Sequence, residues 1–273
     1  MKSISDVISR LYGDNKPAMV WWGKQTLKQN QYFQLDLGGS LFTLQRKPNE
    51  WHWYTFRQEL ETNLTSIRFL DQFQTTTSPE RYAAQSATGD FVLFPKLADR
   101  PVVIKTVPPV SILPGEATQI YVSTALWFGL SLGEESRKVK EFQTRVLSDT
   151  WMGPNTMQGE LCYASQTAAR TSLDELQLRP YRAFTPVRIS NKGNDLLELK
   201  KFSLPAPLLS LFATESGYLW TNSITVARQK DGNVEINISS GAPAEAGNSE
   251  LLMEPRVKPD KNALVKTLGV LFG

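Results

Sequence analysis

The chain has 273 residues, 41% of them hydrophobic and 21% charged, a balance that excludes the disordered, collagen-like and disulfide-stapled classes. Lys and Arg number 30 against 27 Asp and Glu, so the net charge is only +3. A single histidine, His52, and a single cysteine, Cys162, exclude a multi-histidine or Cys/His metal site and an internal disulfide, so no metal and no cofactor are expected.

The first ten residues hold no apolar run of the signal-peptide kind, which together with the lone cysteine predicts a soluble cytoplasmic protein. The longest mostly apolar stretch, Leu204 to Ala213, is broken by Pro205, Pro207 and Ser210 and falls far short of the roughly 20 residues that span a bilayer. The basic surplus is spread along the chain. Its tightest cluster, Arg137, Lys138 and Lys140, is flanked by Glu134, Glu135 and Glu141, so no nucleic-acid partner is expected. The G-x-G-x-x-G, P-loop and G-x-S-x-G patterns are absent.

In chain order, Ile4 to Leu11 reads as a helical turn. Trp21-Trp22 sends one ring to the core and one toward solvent if the segment is extended. Phe33, Leu35 and Leu37 alternate with polar residues and run into Gly38-Gly39, a two-residue hairpin signal, followed by Leu41 to Leu44. Trp51 to Phe56 makes a third strand with Trp51 and Trp53 on one face and His52 on the other, so 32 to 57 predicts an antiparallel meander. Ser66 to Leu70 is a further strand. Phe91 to Phe94, Val102 to Ile104, Val110 to Leu113 and a long strand from Gln119 to Leu130 follow. Ala183 to Ile189 and Leu196 to Leu204 flank the turn 191–195. Ile224 to Ala227 and Val234 to Ile238 flank Asp231-Gly232-Asn233, another hairpin signal. Helix is sparse: Ser172 and Glu175 have capping-box spacing, and Leu264, Val265, Leu268, Leu271 and Phe272 recur at helical spacing after Asp260.

Short strands joined by Gly, Pro and Asn turns predict an all-β fold. The expected organisation is a small antiparallel meander module over 1–88, an immunoglobulin-like β-sandwich over 89–256, and a short amphipathic C-terminal helix over 257–273.

Several blocks read together as a set. They are Ile112 to Gly115 with Tyr121 to Trp127; Leu147-Ser148-Asp149-Thr150-Trp151-Met152-Gly153; Gly159 to Ala164; Arg182 to Val187 with Ile189 and Asn191; and Leu219-Trp220-Thr221. This set resembles an uncharacterised prokaryotic family classed as a domain of unknown function, over residues 30 to 255. The resemblance implies no activity. It suggests an association with a membrane (mechanosensitive) channel as a partner. Ala125 stands where the resemblance leads one to expect proline before Leu126-Trp127, so a straighter strand is expected there. Pro114-Gly115-Glu116 and Pro186 to Asn191 are similar to phrases of immunoglobulin-like sandwiches, a likeness at the level of fold.

Residues 147–163 gather the side chains most suited to a site. Asp149, Thr150, Trp151, Asn155, Glu160 and Tyr163 lie in a turn-rich stretch that Gly153, Pro154 and Gly159 keep irregular. Three readings stand. The residues pack the loop itself; or Trp151, Tyr163 and Trp220 form an apolar platform with Asp149, Asn155 and Arg182 as polar contacts for a sugar; or Asp149 and Glu160 converge as a carboxylate pair for glycoside chemistry. The terminal helix offers Leu264, Leu268 and Leu271 as a stripe for a protein partner or a second copy. The leading expectation is a non-catalytic interaction or accessory protein, and the alternative is a carbohydrate-binding or carbohydrate-acting β-protein using the 147–163 loop.

Overall fold

A computed structural model describes residues 20–58, 62–63, 65–83, 88–133, 137–153, 159–258 and 264–267. It is all-β: among the described residues the only helical elements are single 3-10 turns. Strand β1 (Gly23–Thr26) precedes the expected meander of β2 (Tyr32–Leu37), β3 (Ser40–Arg46) and β4 (Glu50–Arg57). β5 (Thr65–Leu70) and β6 (Glu80–Ala83) add to its two edges, giving the order β5-β2-β3-β4-β6. Gly38 and Gly39 have φ of 66° and 90° between the paired residues Leu37 and Ser40, the left-handed pair that a tight hairpin requires. Alternation then puts Trp51 and Trp53 in the core, while His52 lies on the other face with its Nε2 2.8 Å from Glu50 Oε1.

The chain continues as β7 (Asp90–Lys96), β8 (Val102–Ile112), β9 (Ala117–Ala125), β10 (Trp127–Leu132), β11 (Arg137–Gln143), β12 (Asp149–Met152) and β13 (Glu160–Thr167). Then come β14 (Arg182–Asn191), β15 (Leu197–Leu204), β16 (Leu211–Thr214), β17 (Leu219–Thr221), β18 (Ile224–Arg228), β19 (Asn233–Ile238), β20 (Ser249–Met253) and β21 (Leu264–Thr267). A second sheet, β1-β7-β10-β11, packs its face on the meander through aromatic rings: Phe33 on Phe91 and Phe42 on Phe128, both 4.9 Å between centroids, and Trp53 stacked on Phe142 at 4.3 Å. Each such ring buried stabilises by roughly 1.5–3 kcal/mol. The pairing of β1 with β7 crosses the expected division at 88/89.

The other half has a four-stranded sheet, β12-β13-β8-β15, and an eight-stranded one, β20-β16-β17-β14-β18-β19-β21 with β9 also on β14. β8 with β13, and β14 with both β17 and β18, pair in parallel. In β8, Val102 and Ile104 enter the main core. Val103 faces the opposite way and meets Met152 and Cys162. Trp21 is fully buried and its Nε1 donates to the Pro180 carbonyl (2.9 Å), while Trp22 is half-buried beside it.

Three local expectations are corrected. The strand from Gln119 to Leu130 breaks at Leu126. There the N–H donates to Tyr181 O (3.2 Å) and the carbonyl accepts from Thr144 N (3.0 Å) and Oγ1 (2.5 Å), so loops replace a strand partner and the chain passes from the eight-stranded sheet to the second sheet. The capped segment after Ser172 is a single 3-10 turn, Leu173–Glu175, with Ser172 Oγ accepting from Asp174 N. It stops because Leu173, Leu176 and Leu178 pack on Tyr121, Phe184 and Trp220, and Pro180 follows. Residues 264–267 are strand, not helix, running antiparallel to β19 with Leu264 opposite Ile236 and Thr267 opposite Asn233. The bare edge of β19 supplies backbone partners, and β-branched Val265 and Thr267 suit a strand. Leu268, Leu271 and the Ile4–Leu11 turn lie outside the described residues. Among the described residues no helix is long and apolar enough to cross a membrane.

Candidate functional site

The segment 147–163 forms a hairpin arm, β12 with β13. Its register opposes Asp149 to Tyr163, Trp151 to Leu161 and Met152 to Glu160. Opposed residues share a face and neighbours along a strand alternate. Asp149 therefore lies on the face of Trp151, and Glu160 on the other face with Met152. The two carboxylates do not converge, which removes the glycoside-type pair. Asp149 instead meets Arg100 at 3.3 Å. Among the described residues no group of three His, Cys, Asp or Glu side chains is placed to hold a metal ion.

The aromatic platform is not assembled either. Trp220 is fully buried against Phe184, 5.5 Å between centroids. Tyr163 is buried beside Trp127, and its hydroxyl donates to Asp99 Oδ1 (3.0 Å). Burial, and then the bond to Asp99, push the Tyr163 phenol up to about 12, so it stays neutral. Trp151 alone of the three reaches the surface, 41% exposed. Asn155 lies outside the described residues.

Arg182, also expected at a site, does line a concave surface. A cleft of about 410 Å³ opens on the outer face of the eight-stranded sheet. Its floor comes from β9 and the start of β14: Tyr121, Ser123, Ala125, Arg182 and Phe184. The end of β13, the turn 175–179 and residues 145–147 make the walls. Four arginines line it, Arg145, Arg170, Arg179 and Arg182, against one acidic residue, Glu175, among the described lining residues.

Each arginine sits on fixed backbone. Arg182 opens β14 opposite Ala125; its Nε donates to Ser123 Oγ (3.0 Å) and a terminal nitrogen to Ser123 O (2.8 Å). The Arg170 carbonyl accepts from Tyr121 N (2.7 Å), and its guanidinium lies 3.7 Å from Glu175. The Arg179 carbonyl accepts from Arg182 N (3.1 Å). Arg145 follows Thr144, which is tied to Leu126 as described above. The Tyr121 hydroxyl donates to Glu245, and burial raises its pKa, so Tyr121 is neutral and the arginines of floor and walls carry the positive charge.

Beside the cleft, the outer face of the four-stranded sheet holds a second hollow of about 560 Å³. It contains Lys105, Lys200, Lys201 and Thr150, and it shares Ala164, Ser165 and Gln166 with the cleft. Reading charge along the chain misses both surfaces, because the cations come from separate elements. The available signal was three arginines within the thirteen residues 170–182, next to a proline turn.

A family model described as "Protein of unknown function (DUF432)" matches residues 21–272, and the chain belongs to that family. No curated protein and no solved structure matches it.

Proposed function

We propose that this member of a family without an assigned activity is a non-catalytic binding protein, and that it takes an anionic ligand among the arginines of the cleft. The observation that carries the reading is the lining of a concave site of small-ligand size, four arginines to one glutamate among its described residues. Guanidinium forks match carboxylate and phosphate oxygens in pairs. Arginine stays protonated at any physiological pH, and Tyr121 stays neutral, so these side chains are suited to holding charge and unsuited to shuttling protons. An accessory role follows naturally for a protein that senses or presents such a ligand.

Calorimetry at low salt tests it, with orthophosphate as probe and a neutral disaccharide as the contrasting one. Orthophosphate is expected to bind, and Arg170→Gln to weaken it about tenfold, the effect of one charge-assisted hydrogen bond of roughly 1.5 kcal/mol. Arg170 is exposed, so the variant is expected to keep its fold. Heat from the disaccharide alone, lost in Trp151→Ala, would instead favour the sugar reading.

A further inference from the structure

We propose that the cleft and the lysine hollow bind one ligand together, a small molecule carrying a chain of phosphates, with its end among the arginines and its remaining phosphates over Lys105 and Lys201. This rests on the anion reading of the cleft and adds the ligand's class and its path.

Contiguity is the first support. Ala164, Ser165 and Gln166 line both surfaces, so the end of β13 is the ridge between them and no other element has to be crossed. Beyond Ala164, whose N–H is bonded to Ser148 O, β12 no longer pairs with β13, and the cleft opens along this part of the strand. Ser165 and Gln166 offer a hydroxyl and an amide for phosphate oxygens on the way across.

The second support is a local electrostatic conflict. Lys105 and Lys201 are directly opposed in the β8–β15 pairing, so their ammonium groups leave one face of the sheet side by side. Like charges in that position destabilise a strand pair. Among the described residues neither has a carboxylate within ion-pair distance, whereas neighbouring Lys200 is 2.9 Å from Glu198. A polyanion lying across the pair turns the repulsion into attraction. Lysine suits this part of the path as a point charge, and arginine the terminal phosphate as a fork.

The third support separates a phosphate chain from a nucleic-acid strand. Single strands are held by exposed rings on which bases stack. The rings in the cleft, Tyr121 and Phe184, are 8% and 1% exposed, and the described lining of the lysine hollow holds no ring.

The test compares inorganic tripolyphosphate with orthophosphate by calorimetry at constant ionic strength, on the full chain and on Lys105→Gln/Lys201→Gln. Thermal melts of both proteins check that the variant folds. Tripolyphosphate is expected to bind at least about tenfold tighter than orthophosphate, and the double variant to erase most of that margin. An equal margin in the variant, or no margin in the full chain, overturns the shared path; orthophosphate binding that still depends on Arg170 would then leave the cleft reading standing. Loss of both ligands' binding in the full chain removes both readings. A short oligothymidylate that displaces tripolyphosphate at lower concentration overturns the choice of a small ligand.

Discussion

At the scale of the residue, Arg182 shows how a fixed backbone orients a charged side chain in the proposed anion site. Its guanidinium is half-buried and held twice by Ser123, so its plane is set before any ligand arrives. A fork fixed in this way loses little freedom on binding. Arg182→Lys keeps the charge and removes the fork. Orthophosphate affinity is expected to fall about tenfold, with a loss of about 1 kcal/mol in stability from the unpaired Ser123 carbonyl. Calorimetry and urea unfolding on the same sample separate the two effects. A lysine variant that binds as well as the parent would mean that position 182 serves only as a charge. Tyr163 and Trp220 show the opposite case: both looked suited to a ligand, and both fill the interior. Residue type suggested what these rings can do, but burial is a property of the assembled sheets.

At the scale of the element, what was legible in the sequence was local. Gly38-Gly39 and Asp231-Gly232-Asn233 announced their hairpins because a tight turn depends on adjacent residues. Alternation gave the faces of Trp51, His52 and Trp53 correctly for the same reason. The partners of β8 and β14 were not legible, since parallel pairing joins strands distant in the chain. The basic cleft was illegible on the same ground, apart from Arg182: β9, β13 and β14 create it by converging. The C-terminal segment was misread because Leu264, Val265 and Leu268 fit a helical period, and nothing local reveals that β19 has an open edge. A chain ending at residue 263 therefore has a specific expected defect. Amide exchange across Asn233–Ile238 should accelerate, while β9 and β14, paired elsewhere, keep their protection. Unchanged exchange in β19 would show that β21 adds nothing to the ladder in solution.

At the scale of the whole molecule, Glu141 is the charge that joins the two halves. It lies on β11, in the sheet that packs on the meander. Arg256, just past β20 of the eight-stranded sheet, reaches it at 2.6 Å, donates its Nε to Leu97 O (2.9 Å), and lies over Trp127. Lys96 and Lys138 approach the other carboxylate oxygen at 2.8 and 2.6 Å. Burial alone would raise the Glu141 pKa; the bonds to Arg256, Lys138 and Lys96 outweigh it and hold the carboxyl at about 2, against an ordinary 4.5. The folded-state pKa is therefore depressed. The stabilisation is complete above about 4.5 and is lost as pH falls toward 2. With solvent screening allowed for, it is on the order of 2 kcal/mol at neutral pH. Glu141→Gln removes the charge and strands three cations around a neutral amide. The variant is expected to unfold at lower urea than the parent at pH 7, with the two midpoints converging as pH approaches 2. A difference that stays constant from pH 7 to pH 2 would mean that the side chain acts through packing, and that its charge does not hold the halves together.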